Sequence, residues 1–99
     1  MNVILITTDG VRRKVNIESF DQARQLVCNF QYNSSAQIIV LTGGTFMVID
    51  EDGKLKNLPI NEIATEIAQE SNSIYPSDYI VGDVLVVDDV NEFDDLPYE

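Results

Sequence analysis

Apolar and polar positions along this chain follow two periods, and the switches between them mark the elements. Residues 2 to 8, Asn-Val-Ile-Leu-Ile-Thr-Thr, form an apolar, β-branched run that predicts a buried strand. Asp9-Gly10 is a turn signal. Val11 to Ile17 alternates well enough for a second strand, with Val11, Val15 and Ile17 on one face. Arg13 shares that face by parity, so this strand belongs at a sheet edge or frays at its start. Together the two strands make an N-terminal hairpin. Ser19 then offers a helix cap with Gln22 three residues on, and Phe20, Ala23, Leu26, Val27 and Phe30 recur at helical spacing. This helix is expected to end between Asn29 and Asn33, because Asn33-Ser34-Ser35 is loop chemistry.

Ala36 to Leu41 reads as a third strand, Thr42-Gly43-Gly44-Thr45 as a tight turn, and Phe46 to Asp50 as the returning fourth strand. Asp50-Glu51-Asp52-Gly53 is a further turn. Lys54 to Leu58 extends briefly until Pro59, which has no N–H to give a ladder. Asn61 caps a second helix with an apolar stripe of Ile60, Ile63, Ala64, Ile67 and Ala68, opposite Glu62, Glu66, Gln69 and Glu70. Residues 71 to 78 read as a loop and Tyr79 to Val87 as the last strand, with Gly82 a bulge or a point of close approach. The order β-β-α-β-β-α-β gives an α+β class. The expectation is a mixed sheet with helices on one face, its opening ββαβ resembling a β-grasp layout. Residues 1–87 form a single α+β domain, and residues 88–99 an acidic tail carrying Val90, Phe93, Leu96 and Tyr98. Four large apolar residues in that tail favour docking over a purely solvated terminus.

Composition narrows the classes. A chain of 99 residues suits one domain, and 44% hydrophobic with 23% charged residues argues against wholesale disorder. No apolar run is long enough for a membrane span, and Met1-Asn2-Val3 begins no signal sequence, so a cytoplasmic location is expected. Cys28 is the single cysteine and histidine is missing, so the thiol lacks its usual activating base and reads as a packing residue. The net charge is −11, unevenly spread. Residues 1 to 56 hold all six bases and six acids, whereas residues 57 to 99 hold eleven acids and no base. Such a field disfavours direct binding to nucleic acid or anionic membranes and attracts a basic protein surface. Arg12, Arg13 and Lys14 are too few for a nucleic-acid footprint and read as decoration of an edge strand.

Motifs for chemistry are weak. Asp50, Asp52 and Gly53 echo the start of a calcium loop, but the twelfth position, counted from Asp50, is Asn61 rather than Glu, so a turn is the better reading. Thr42-Gly43-Gly44-Thr45 lacks the lysine and the following helix of a phosphate loop. Among seventeen acids, adjacent carboxylates are expected without any acid–base role. The chain is therefore expected to be no enzyme and to need no cofactor or metal.

The stretch from Gly53 to Asn61, with its Leu58-Pro59-x-Asn61, and the later stretch from Ile80 to Val87, opening Ile80-Val81-Gly82, resemble a family of small proteins. That family is encoded by phages, plasmids and other mobile elements and is a domain of unknown function. The N-terminal hairpin and helix fit it as well. The resemblance brings no catalytic residues; it implies a small accessory protein of a bacterial mobile element.

Two functions follow as expectations. The first is a non-catalytic inhibitor of a basic host protein, one that binds nucleic acid or acts in defence. Here Asp83, Asp88, Asp89, Glu92, Asp94 and Asp95 would present carboxylates in imitation of a phosphate backbone. The alternative is a small-ligand binder or sponge, formed as an oligomer or not, with Gly43, Gly44 and Gly82 allowing close backbone approach.

Overall fold

The computed structural model describes residues 2–28 and 35–88. The elements are β1 (Asn2–Ile6), β2 (Arg12–Asn16), α1 (Phe20–Val27), β3 (Ala36–Val40), β4 (Phe46–Asp50), α2 (Glu62–Glu70) and β5 (Val84–Val87). The five strands form one sheet in the order β2-β1-β5-β4-β3. All four pairings are antiparallel, so the expected mixed sheet, and the β-grasp likeness that went with it, are corrected. The reason lies in the path of α1. It joins β2 to β3, which occupy opposite edges of the sheet, so the crossover creates no neighbouring parallel pair.

The helices also do not share a face. Val3, Leu5, Phe46, Val48, Leu85 and Val87 pack with Phe20, Ala23 and Val27 of α1. Ile6, Met47 and Val84, together with Ile39, pack with Ala64 and Ala68 of α2. Neighbouring residues of one strand thus enter different cores, which places α1 and α2 on opposite sides of the sheet. Cross-strand register agrees: Val48 lies opposite Leu85, which lies opposite Leu5, while Ile39 lies opposite Met47, which lies opposite Val86. The three central strands are apolar without a break from Val3 to Ile6, Phe46 to Ile49 and Val84 to Val87, and such runs need cover on both faces.

Local chemistry starts and stops the helices. Ser19 Oγ accepts from Gln22 N at 3.2 Å, and Gln22 Oε1 accepts from Glu18 N at 2.8 Å, a variant of the expected capping box. Helix α1 ends at Val27, short of the expected 29–33, and residues 29–34, with Phe30, lie outside the described residues. Helix α2 ends in a Schellman motif: Asn72, at φ 54°, donates to Gln69 O and Ser73 N donates to Ala68 O. A second such motif corrects the extended reading of Lys54 to Leu58. Lys56 N donates to Asp52 O, and Asn57, at φ 57°, closes one helical turn through Asn57 N to Lys54 O and Leu58 N to Gly53 O.

The last strand is shorter than the expected 79–87, because Gly82 takes φ 78° and breaks the ladder. Upstream of it, Val81 bridges Ile60 instead. Ile60 accordingly sits before α2, 53% exposed, and is not part of its apolar stripe. The edge position of β2 is as expected, with Arg12, Arg13 and Lys14 exposed on it. No described helix is long and apolar enough to cross a membrane.

Candidate functional site: a cleft beside an open sheet edge

An open cleft of about 520 Å³ lies on the α2 side of the sheet. Its floor is apolar, from Ile39 of β3, Ile49 of β4, and Ile74, Ile80 and Val81 of the segment between α2 and β5. Its rim carries Glu51, Lys54, Tyr75, Asp78 and Tyr79. The segment is held in place by α2: Gln69 Nε2 donates to Pro76 O at 3.0 Å and to Asp78 O at 3.1 Å, and Ile80 N donates to Thr65 Oγ1 at 2.8 Å. Ser73 Oγ donates to Val40 O at 2.5 Å, which ties it to the end of β3.

Lys54 organises the rim. Its ammonium lies 4.3 Å from the centre of the Tyr79 ring and 2.5 Å from Asp78 Oδ1. Asp78 also accepts from Tyr79 N at 2.8 Å. These contacts, the Lys54 hydrogen bond first, hold the Asp78 carboxyl below its usual range. Whatever stability the pair adds is present above the ordinary carboxylate range and is lost as pH falls through the depressed value. Tyr75 is 80% exposed and fills no core. Aromatic residues four apart in a polar loop were the one sequence signal for this site, and sequence reasoning passed over it.

The second feature is the outer face of α2. Glu62, Glu66 and Glu70 are exposed at i, i+4 and i+8, and among the described residues none of them has an ion-pair partner. Like charges four apart repel by a few tenths of a kcal/mol, about 0.2–0.5 per pair, and Glu70 stands in the last turn, where the helix dipole disfavours an anion. This face is not arranged for helix stability.

The residues singled out from sequence fall differently. Asp83 is half-buried and accepts from Thr8 N at 3.0 Å, so it closes the structure between β5 and the β1–β2 turn. Asp88 is exposed at the end of β5. Asp89, Glu92, Asp94 and Asp95 lie outside the described residues. Gly43 and Gly44 sit in the exposed β3–β4 turn, away from the cleft, and both have positive φ. Gly82 does permit a close approach, but to its own chain: a Cβ there would stand 2.8 Å from Leu58 Cδ1. Gly82 thus packs against the Leu58 side chain. Both Asp50 carboxylate oxygens are engaged within the chain: Oδ1 accepts from Asp52 N at 2.9 Å and Oδ2 from Lys56 Nζ at 2.6 Å. Cys28 is 1% exposed, as a packing residue should be, and burial foremost pushes its thiol up to about 11, with the charge of Asp50 adding to the shift.

The two sequence stretches that carry the family resemblance meet in space. Asn61 N donates to Ile80 O at 2.8 Å, Gly82 N donates to Pro59 O at 2.9 Å, and the Leu58 side chain lies against Gly82. Asn61 Nδ2 donates to Gly82 O at 2.9 Å and to Ile6 O at 3.0 Å. They form a clamp that fixes β1, α2 and the approach to β5, with no reactive group in it. No curated protein and no solved structure matches the chain. One family does, over residues 1–99, so the chain belongs to the family described as a domain of unknown function, DUF3846.

Proposed function

We propose that this protein is a non-catalytic accessory factor that binds and blocks a basic protein, one that handles nucleic acid or acts in host defence, on behalf of a phage or other mobile element. The observation that carries this reading is the unpaired carboxylate row on α2. Glu62, Glu66 and Glu70 rise by about 6 Å per step along one helix face, a regular line of anions like that of a phosphate backbone. The eleven acids and no base of residues 57 to 99 extend the same field, through Asp88 and the tail acids Asp89, Glu92, Asp94 and Asp95. The chemistry of the surface agrees with a binding role, since the chain has no histidine and its single thiol is buried.

The test is affinity capture from a bacterial lysate at low and high salt. Three baits are compared: the natural chain, the triple variant Glu62→Gln, Glu66→Gln, Glu70→Gln, and a variant with Asp88, Asp89, Glu92, Asp94 and Asp95 neutralised. A basic partner lost with salt and with either variant supports the reading. Equal capture of that partner by all three baits sinks it.

A second reading, a small-ligand binder, is favoured by the cleft rather than by the glycines. An apolar floor with a few converging polar groups is the common form of a ligand site. A metabolite and nucleotide panel read by thermal shift addresses it, since a ligand that binds only the folded state raises the melting temperature.

A further inference from the structure

The two edges of the sheet are built differently. At β2, three consecutive bases, Arg12, Arg13 and Lys14, stand exposed and discourage another strand from pairing. At β3, Ala-Gln-Ile-Ile-Val carries no charge, no proline and no bulge, and Val40 is 71% exposed. The ladder shows which groups are open. Leu41 N donates to Thr45 O and Glu51 N donates to Ser35 O, so the odd-numbered residues of β3 turn their backbone groups to β4. The N–H and C=O of Ala36 and Ile38 therefore point outward, and among the described residues they have no partner. The end of this edge is closed by Ser73 on Val40 O.

The cleft lies alongside this edge. Gln37 and Ile39 put their side chains on the α2 face and contribute to the cleft wall. A strand added next to β3 would place every second side chain over that wall, because cross-strand neighbours share a face. There it would meet the carboxylate of Glu51 and the exposed rings of Tyr75 and Tyr79, with Lys54 and Asp78 neutralising each other. Acid and aromatic faces together suit a basic side chain on an apolar stem. The intervening side chains would face the α1 side, beside the half-buried Ala36 and Ile38.

We propose that the outer edge of β3 and the adjoining cleft bind an extended segment of a partner protein, alternately basic and apolar, added to the sheet as a sixth antiparallel strand. This deepens the binding reading above and rests on it for the choice of a basic protein partner. The backbone of β3 supplies the hydrogen bonds, the cleft reads the basic side chains, and the α2 carboxylates draw the segment in.

The probe is an acetylated and amidated peptide of alternating valine and arginine, Val-Arg-Val-Arg-Val-Arg-Val, titrated onto the full chain and followed by amide NMR. In the proposed register, valine lies opposite Ala36 and Ile38, so the valine N–H groups face β3. Methylating the valine nitrogens is expected to weaken binding at least about tenfold, whereas methylating the arginine nitrogens leaves it unchanged. The amides of Ala36 and Ile38 shift on binding. The surface variants Glu51→Gln and Tyr75→Ala, neither of which touches the core, each weaken binding several-fold. Equal binding of the glutamate counterpart, indifference to where the methyl groups sit, or shifts confined to α2 overturn the proposal. So does a chain that dimerises through β3, since a second copy would then own the edge. These outcomes leave the lysate capture and its α2 variants free to succeed or fail separately.

Discussion

Asn61 has no exposed surface, and its side chain makes three hydrogen bonds. Its Oδ1 caps α2 at Ala64 N, 3.1 Å away, while its Nδ2 serves two carbonyls, Ile6 O at the end of β1 and Gly82 O just before β5. A cap alone would tolerate aspartate; two buried carbonyls would not, because a carboxylate oxygen cannot donate to them. Asn61→Asp and Asn61→Ala are both expected to lower stability by about 2–4 kcal/mol in urea titrations, with no rescue by aspartate. A stable aspartate variant would reduce Asn61 to an ordinary cap. Cys28 makes the second prediction at this scale. With its thiol raised to about 11, it is protonated at neutral pH and resists alkylation in the folded chain, reacting only after denaturant is added. Because the folded value lies above the unfolded one, stability should be insensitive to this group below about pH 9 and fall as pH rises from there through 11. Reaction rates with iodoacetamide, with and without denaturant, check the first part, and alkaline melting curves the second.

At the scale of elements, the turn between β4 and α2 depends on one buried charge. The Asp50 side chain is 1% exposed and is held by Lys56, whose own side chain is 22% exposed. Lys56→Met keeps the aliphatic stem but leaves the carboxylate buried without its counter-charge. The expected loss is about 2–4 kcal/mol, measured by chemical denaturation at pH 7. This turn also leans on a missing side chain: a Cβ on Gly53 would stand 2.7 Å from Val81 Cγ2 and 3.3 Å from the backbone oxygen of Asp50. The outer face of α2 should behave in the opposite way. Replacing Glu62, Glu66 and Glu70 with glutamine removes repulsion of about 0.2–0.5 kcal/mol per pair but gives up the favourable dipole contact of Glu62 in the first turn, about 0.3–1 kcal/mol, so stability should change by less than about 1 kcal/mol. Paired with loss of partner capture, that result would separate function from folding at those positions.

Across the whole molecule, charge and topology act together. All six bases and twelve of the seventeen acids lie in the described residues, so the folded body is itself acidic. Self-repulsion of this kind is relieved by screening, and the melting temperature should rise by a few degrees, about 2–5, between low salt and 0.5 M sodium chloride at pH 7, the equivalent of about 0.5–1 kcal/mol. A fall would mean that ion pairs such as Lys54–Asp78 and Lys56–Asp50 outweigh the repulsion. The sequence by itself determined what neighbours on the chain can decide: the Ser19 and Asn61 caps, the exposed character of the Arg12–Lys14 strand, the hairpin turns and the packing role of Cys28. It also held a signal for two covered faces, since Val3 to Ile6, Phe46 to Ile49 and Val84 to Val87 are apolar without alternation. Only the tertiary structure decided that β5 slots between β1 and β4 and that the helices take opposite sides. The same holds for the clamp between Leu58–Asn61 and Ile80–Gly82, and for Lys54 reaching Asp78 and Tyr79 to build the cleft. Periodicity reports which face a residue takes within its own element, whereas pairing across a helix or a long turn is settled by burying all the apolar faces at once.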